Sequence, residues 1–193
     1  MRKEQAQQTR RRLFDSAYQL LKEKAFESIS IKEIASRAGV STGTFYLYFP
    51  SKLDVYYQTY IMAEEYFSRI VSRQVQTGSA KERLLIFFHE YACYNSDYTS
   101  IKLTKLLYNG NNRCFLRESS GEGMFPLLKD ILRYGIQQGE LDATMDIEDM
   151  SQFLMNAVRG LTYHWCISDG SYDIKEATRR YVLRLYRSIE RRY

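Results

Sequence analysis

Residues 30–52 read SIKEIASRAGVSTGTFYLYFPSK, and this stretch decides the fold of the chain. Ser30 and Glu33 have the spacing of a capping box, in which each side chain bonds the other residue's backbone N–H, so they predict a helix start. Gly39 predicts a sharp exit from that helix, because glycine readily adopts a positive φ. Ser41 predicts the N-cap of a second short helix, from about Thr42 to Tyr48. Two helices joined by such a turn form a helix-turn-helix.

The second of these helices presents an outer face without acidic side chains. Such a face can press against a phosphate backbone and reach base edges in a major groove. Its residues are small or carry a polar tip: Thr42, Gly43, Thr44, Tyr46 and Tyr48. Lys52, at the start of the next helix, adds a positive charge that suits a phosphate. A generic helical hairpin with exposed tyrosines is the alternative interpretation.

The net charge of +5 lies entirely in the N-terminal part of the chain. Residues 1–52 hold ten lysines and arginines against five acidic residues, which leaves 18 of each kind in residues 53–193. This asymmetry is typical of a protein with one phosphate-binding surface. It favours DNA binding over the generic hairpin.

The segment from Thr9 to Tyr56 closely resembles the DNA-binding domain of the TetR/AcrR family of bacterial transcriptional regulators. The matching positions are Thr9-Arg10, Phe14, Ala17, Phe26, Ser30-Ile31, Ile34-Ala35, Ala38-Gly39-Val40-Ser41, Gly43-Thr44-Phe45-Tyr46, Tyr48-Phe49 and Ser51-Lys52. Ala25 departs from the pattern, since the family usually has glycine before the aromatic residue. The predicted DNA-binding set is Thr9, Arg10, Ser30, Ser41, Thr42, Gly43, Thr44, Tyr46, Tyr48 and Lys52.

The chain as a whole is typical of an all-α protein. Two prolines and ten glycines interrupt 193 residues rarely, and no segment alternates apolar and polar residues with a period of two. We expect about nine helices, with a three-helix DNA-binding domain at residues 1–50. Residues 51–193 are expected to form a helical ligand-binding and dimerisation domain, as the resemblance implies.

The location of the protein is predicted from what the sequence lacks. No apolar run approaches the roughly 20 residues that span a bilayer, and the N-terminus has no apolar core of a secretory signal. Cys93, Cys114 and Cys166 are too far apart for a disulfide framework or a metal site, which predicts reduced thiols, with a redox sensor as the alternative. We therefore expect a cytoplasmic protein with no membrane contact, no metal and no cofactor.

The last two predicted helices carry wide apolar faces, more than a core alone requires. The family resemblance implies that part of these faces forms a two-fold, four-helix interface between two copies of the chain. The predicted interface residues are Phe153, Ala157, Leu161, Val182, Leu185 and Ile189.

The middle of the chain is rich in aromatic residues at helical spacing. Such stripes are more often core than ligand pocket, but the resemblance implies a ligand cavity among these helices. The predicted ligand-binding residues are Phe67, Phe88, Tyr91, Tyr108, Phe125, Tyr134, Arg159, Tyr163 and His164.

Two other classes of function remain as alternatives. A ligand-binding enzyme is disfavoured, because the sequence has no nucleophile–base pattern, no H-E-x-x-H and no glycine-rich phosphate loop. A nonspecific architectural DNA-binding protein is disfavoured, because most of the chain is electrically neutral. The sequence thus predicts a homodimeric transcriptional regulator, most simply a repressor that a small ligand releases from a palindromic operator.

Overall fold

The computed structural model describes residues 2–108 and 123–191, and these ranges are built from α-helices without an extended strand, which confirms the all-α class. No helix in them is long and apolar enough to cross a membrane. The helices are α1 (Arg2–Glu23), α2 (Ile31–Arg37), α3 (Thr42–Tyr48), α4 (Lys52–Tyr66), α5 (Ser72–Gln74), α6 (Ala80–Cys93), α7 (Ile101–Leu107), α8 (Met124–Gln137), α9 (Ile147–Ile167) and α10 (Ile174–Ile189).

A π-helical turn, Phe67–Val71, joins α4 to the short α5, so these three segments form one continuous helical rod. Phe67 and Val71 at its two ends are fully buried. Counted as one helix, this rod gives nine helices in the described ranges, as the sequence predicted.

The chain divides into two compact units, Met1–Ile61 and Met62–Tyr193. The division falls within α4, about eleven residues after the boundary that we placed at residue 50. Val55 and Tyr56 explain the difference, because both are fully buried in the N-terminal unit. The Tyr56 hydroxyl also donates to the backbone carbonyl of Ala17, at 3.0 Å.

The helix-turn-helix lies in the N-terminal unit with the geometry that its sequence predicts. The Ser30 Oγ accepts from the Glu33 backbone N–H at 3.2 Å, and the Glu33 carboxylate accepts from the Ser30 N–H at 2.9 Å. Gly39 leaves α2 at a φ of 68°. The Ser41 Oγ then accepts from the Thr44 N–H at 3.0 Å and begins α3.

In the C-terminal unit, α10 and α8 both pack against α6, while α9 packs against α8 and α10. Gly135 permits close packing of α8, because an added Cβ would lie 2.7 Å from the Cβ of Ala80 on α6. The buried Glu64 carboxylate accepts from the Met124 N–H at 2.9 Å and so caps the start of α8. Of the cysteines, Cys166 is buried and Cys93 is half-buried, both as free thiols, while Cys114 lies outside the described residues.

Candidate functional site

The outer face of α3 is accessible in the N-terminal unit. Thr42, Gly43 and Tyr46 are exposed, and Thr44 and Tyr48 are half-buried. The inner face is fixed to the core by Phe45, which is fully buried. Because α3 is anchored on one side only, its other side is available to enter a groove of DNA.

Leu47 belongs to this exposed face and is absent from the predicted set. Its side chain is 84% exposed, more than that of any other large apolar residue among those described. Leu47 is two residues away from each of the inward-facing Phe45 and Phe49, so helical spacing puts it on the opposite, outward face. Its apolar character instead favours a position in the core. An apolar side chain in a major groove can contact the methyl group of thymine.

The predicted contacts on α1 lie in the same unit. Arg10 is exposed, and its guanidinium carbon lies 5.2 Å from the ring centroid of Phe49, the residue that follows α3. Thr9 is half-buried, and its hydroxyl donates to the Gln5 carbonyl at 2.9 Å. The structure therefore brings Arg10 to the C-terminal end of α3.

Ser30 and Ser41 are exposed, but both hydroxyls serve as helix caps. The Ser30 hydroxyl also donates to the carboxylate of Glu33 at 2.9 Å, which places a negative charge beside it. The Ser41 hydroxyl instead bonds that of Thr44, at 2.9 Å. Of the two serines, Ser41 has the surroundings that suit a phosphate.

Lys52, the predicted phosphate contact at the start of α4, is bonded within the N-terminal unit. Its Nζ donates to the backbone carbonyls of Phe26 and Ile29, both at 2.7 Å, and lies 4.2 Å from the ring centroid of Phe26. Burial lowers the pKa of Lys52 from its ordinary value, against the attraction of Glu27. Because two of its three N–H groups bond the unit's own backbone, Lys52 ties α4 to the segment between α1 and α2.

The predicted ligand residues Phe67, Phe88 and Tyr91 lie inside the C-terminal unit. Phe87 packs against two of them, with its ring centroid 4.9 Å from that of Phe67 and 5.0 Å from that of Phe88, and the ring of Tyr91 lies 6.5 Å from that of Phe67. All four side chains are almost completely buried. Their dense edge-on packing is that of a hydrophobic core.

A polar group lies beside this cluster. The Tyr91 and Tyr108 hydroxyls are 2.5 Å apart. Burial raises the pKa of Tyr108 well above its ordinary value, the contact with Tyr91 raises it further, and the positive charge of Arg159 opposes the rise. Arg159 is only 8% exposed, and its guanidinium carbon lies 5.2 Å from the ring centroid of Phe125. The structure thus brings Tyr91, Tyr108, Phe125 and Arg159 together.

Three other predicted ligand residues do not join this group. Tyr163 and His164 are exposed on α9, because they lie on the side of that helix opposite its buried face. Tyr134 lies under the guanidinium of Arg83, whose carbon is 3.5 Å from the ring centroid. Tyr163 and His164 thus lie apart from the buried polar group of Tyr91, Tyr108 and Arg159.

The outward faces of α9 and α10 contain part of the predicted dimer interface. Phe153 is 48% exposed, and Ala157, Leu161 and Leu185 are half-buried. The exposed glycine Gly160 lies among them, with open space where a Cβ would be. Val182 and Ile189 instead are buried within the protomer, so they add nothing to this exposed surface.

Comparison with known proteins agrees with this arrangement. Residues 13–57 match the family model of bacterial regulatory proteins of the tetR family. The fatty acid metabolism regulator protein of Bacillus subtilis is 26% identical over 167 residues, covering 84% of this chain and 86% of the relative. The HTH-type transcriptional regulator AcrR of Shigella flexneri is 24% identical over 200 residues, covering 93% and 88%.

A solved structure shares the fold over nearly the whole length. The regulator FadR of Bacillus subtilis, in complex with stearoyl-CoA, superposes with a TM-score of 0.72 at 22% identity and covers 91% of this chain and 96% of its own. The relatives are named as transcriptional regulators. The helix-turn-helix and these matches show that the chain is a transcriptional regulator, with a DNA-binding domain of the tetR family at residues 13–57 and a similarity to TetR/AcrR-family regulators over most of its length.

Proposed function

We propose that the protein is a homodimeric repressor that binds a palindromic operator and leaves it when an acyl-CoA thioester binds. The outer face of α3 carries this proposal. It is exposed, free of acidic side chains and anchored from behind by Phe45. In this proposal Thr42 and Thr44 contact base edges, and Gly43 lets the backbone approach the DNA closely.

Dimerisation is supported by the outward face of α9 and α10. Phe153, Ala157, Leu161 and Leu185 leave apolar surface uncovered in the single chain. Gly160 adds no side chain to this face, so the helices of a second copy can approach closely. A two-fold dimer would place two copies of α3 on one side of a duplex, about 34–36 Å or one helical turn apart.

The ligand class is proposed from the chemistry of the C-terminal unit and from one relative. The Bacillus subtilis FadR structure contains stearoyl-CoA, which joins a long apolar chain to a polar, anionic group. The apolar chain would enter the aromatic interior around Phe67 and Phe88, and the rings that pack closely there would have to separate to admit it. The buried guanidinium of Arg159, with Tyr91 and Tyr108 beside it, suits a carbonyl or anionic group.

Coupling between ligand and DNA is proposed to run through α4. This helix contributes residues to both compact units, with Val55 and Tyr56 in the core of one and Ala63 buried in the other. A ligand that displaces the C-terminal part of a rigid helix also displaces its N-terminal part. In a dimer, the two copies of α3 must fit major grooves at a fixed spacing along the duplex. A small displacement of either copy therefore weakens the simultaneous binding of both to the operator.

The reading role of α3 is tested by selecting duplexes from a random pool with the wild-type protein. We expect a palindromic consensus. Thr42→Ala and Thr44→Ala are expected to change the preferred bases. Each is also expected to weaken the binding free energy for the wild-type consensus by about 1–3 kcal/mol. Arg73→Ala, an exposed change in the C-terminal unit, is the control. Retention of the wild-type consensus and affinity by both threonine variants would contradict the assignment.

A further inference from the structure

A groove in the N-terminal unit extends the DNA-binding surface beyond the helix-turn-helix. Its volume is about 820 Å³, and it runs between the first turns of α1 and the C-terminal end of α3. We call it the α1 groove, and its lining residues are Gln5, Ala6, Gln8, Thr9, Arg11, Arg12 and Tyr48. All the lining residues of α1 precede residue 13, where the match to the tetR family model begins.

The spacing of the polar side chains is that of a single helix face. Counted from Gln5, the next polar side chains come three, four and seven residues later, at Gln8, Thr9 and Arg12. Gln5, Gln8 and Arg12 are exposed, so their amide and guanidinium N–H groups are available to an occupant. None of the lining residues is acidic. The groove therefore suits a partner that is negatively charged and rich in hydrogen-bond acceptors.

Arg12 is the cation that the groove can use most readily. Arg11 also lines the groove, but its Nε donates to the Asp15 carboxylate at 3.1 Å. Elsewhere in this unit, Arg37 is paired with Glu23 at 2.7 Å. Arg12 makes no hydrogen bond or ion pair with any residue that the structure describes.

The position of Tyr48 indicates which part of the DNA would lie in the groove. Tyr48 is the last residue of α3, whereas the N-terminal residues of a recognition helix contact base edges. The C-terminal end therefore lies towards a strand that borders the major groove. A helix about 10–12 Å across cannot enter a minor groove about 6 Å wide, so α1 itself is excluded from that groove.

We propose that the α1 groove holds the sugar-phosphate backbone of one operator strand, with Arg12 bound to a single phosphate in each half-site. Gln5 and Gln8 donate to phosphate or sugar oxygens on either side of the phosphate that Arg12 binds. The contact strengthens binding without reading bases, and it sets the register in which α3 meets the major groove. This inference rests on DNA binding by the N-terminal unit.

The test uses the duplex selected with the wild-type protein and an unrelated duplex of equal length. Arg12→Ala is expected to lower the affinity for both duplexes by a similar factor, about tenfold near 0.1 M salt. The slope of log K against log salt should fall by about one unit per phosphate, and so by about two for a dimer. Arg12→Lys should recover part of the loss, because it keeps the charge. Arg73→Ala, an exposed change in the other unit, should have no effect.

Neutral methylphosphonates, placed one at a time in the selected duplex, then locate the contact. At one position in each half-site, the methylphosphonate should lower the DNA affinity of the wild-type protein and leave the DNA affinity of Arg12→Ala unchanged. The proposal is overturned if no position behaves in this way, or if Arg12→Ala keeps the wild-type salt slope. In either case, tight binding by the wild-type protein would leave its function as a DNA-binding regulator intact, whereas failure to select any duplex would remove that function.

Discussion

The ammonium group of Lys52 holds α4 against the chain segment that links α1 to α2. It donates to the backbone carbonyls of Phe26 and Ile29, both at 2.7 Å. We expect Lys52→Ala to lower the stability of the N-terminal unit by about 2 kcal/mol, since hydrogen bonds from charged donors are stronger than neutral ones. Thermal unfolding followed by circular dichroism measures this, with Lys32→Ala as the exposed control.

The same variant separates a structural role from a phosphate contact. At temperatures where it remains folded, Lys52→Ala is expected to keep the wild-type salt slope of DNA binding. A reduced slope with an unchanged unfolding midpoint would restore the phosphate role that the sequence predicted.

Glu33 makes the stability of the protein depend on pH. A hydrogen bond from Lys24, at 2.5 Å, and then bonds from the Ser30 backbone and hydroxyl lower the pKa of Glu33 from 4.5 to about 2. Because the folded pKa lies below the unfolded one, the stabilisation is complete above about pH 4.5 and disappears as the pH falls through about 2. The unfolding midpoints of wild type and Glu33→Gln should therefore differ at pH 7 and converge near pH 2. A difference that stays constant between these pH values would disprove the assignment.

At the scale of one residue, the sequence predicts local roles well and distant ones poorly. The Ser30 capping box and the Gly39 turn depend on atoms within a few residues, so their spacing alone identifies them. Lys52 bonds carbonyls 26 and 23 residues away, and nothing in its local sequence indicates them. Leu47 illustrates another limit, because apolar residue type usually means burial.

At the scale of an element, α3 combines a buried anchor with an exposed helix face whose properties can be tested separately. A Cβ added at Gly43 would meet only the Ser41 Oγ, at 3.6 Å. Alanine also favours a helix over glycine by up to about 1 kcal/mol. Gly43→Ala is therefore expected to keep or raise the unfolding midpoint while weakening operator binding, because the added methyl group separates the backbone from the DNA.

Operator affinity by fluorescence anisotropy and unfolding by circular dichroism should be measured on the same preparations of this variant. Equal operator affinity for Gly43→Ala and wild type would mean that the backbone of α3 does not approach the duplex closely.

The helices α9 and α10 show why apolar faces are difficult to assign from sequence. Both carry apolar residues on more than one side, and the sequence cannot tell which side faces the chain's own core. In the structure α10 packs against α6, which accounts for the burial of Val182 and Ile189. The exposure of Tyr163 and His164 depends in the same way on how α9 is rotated against α8 and α10, which its own pattern does not determine.

For the whole molecule, dimerisation is the first requirement of the account. We expect Leu161→Glu to produce a folded monomer that binds operator weakly, because it places a charge in the proposed interface. Val182→Ala is a suitable control: it should destabilise the protomer, through the lost packing of a buried side chain, without changing its association. Sedimentation velocity distinguishes the two. A Leu161→Glu dimer with wild-type operator affinity would exclude this interface.

The central claim, that ligand and operator compete through one equilibrium, is tested most directly by a reciprocal titration. Operator binding is measured with and without stearoyl-CoA, and stearoyl-CoA binding is measured by calorimetry with and without operator, with coenzyme A alone as the control. We predict that stearoyl-CoA weakens operator binding by about 5- to 150-fold and that operator weakens stearoyl-CoA binding by the same factor. Tight binding of stearoyl-CoA with equal affinity in the presence and absence of operator would contradict the account.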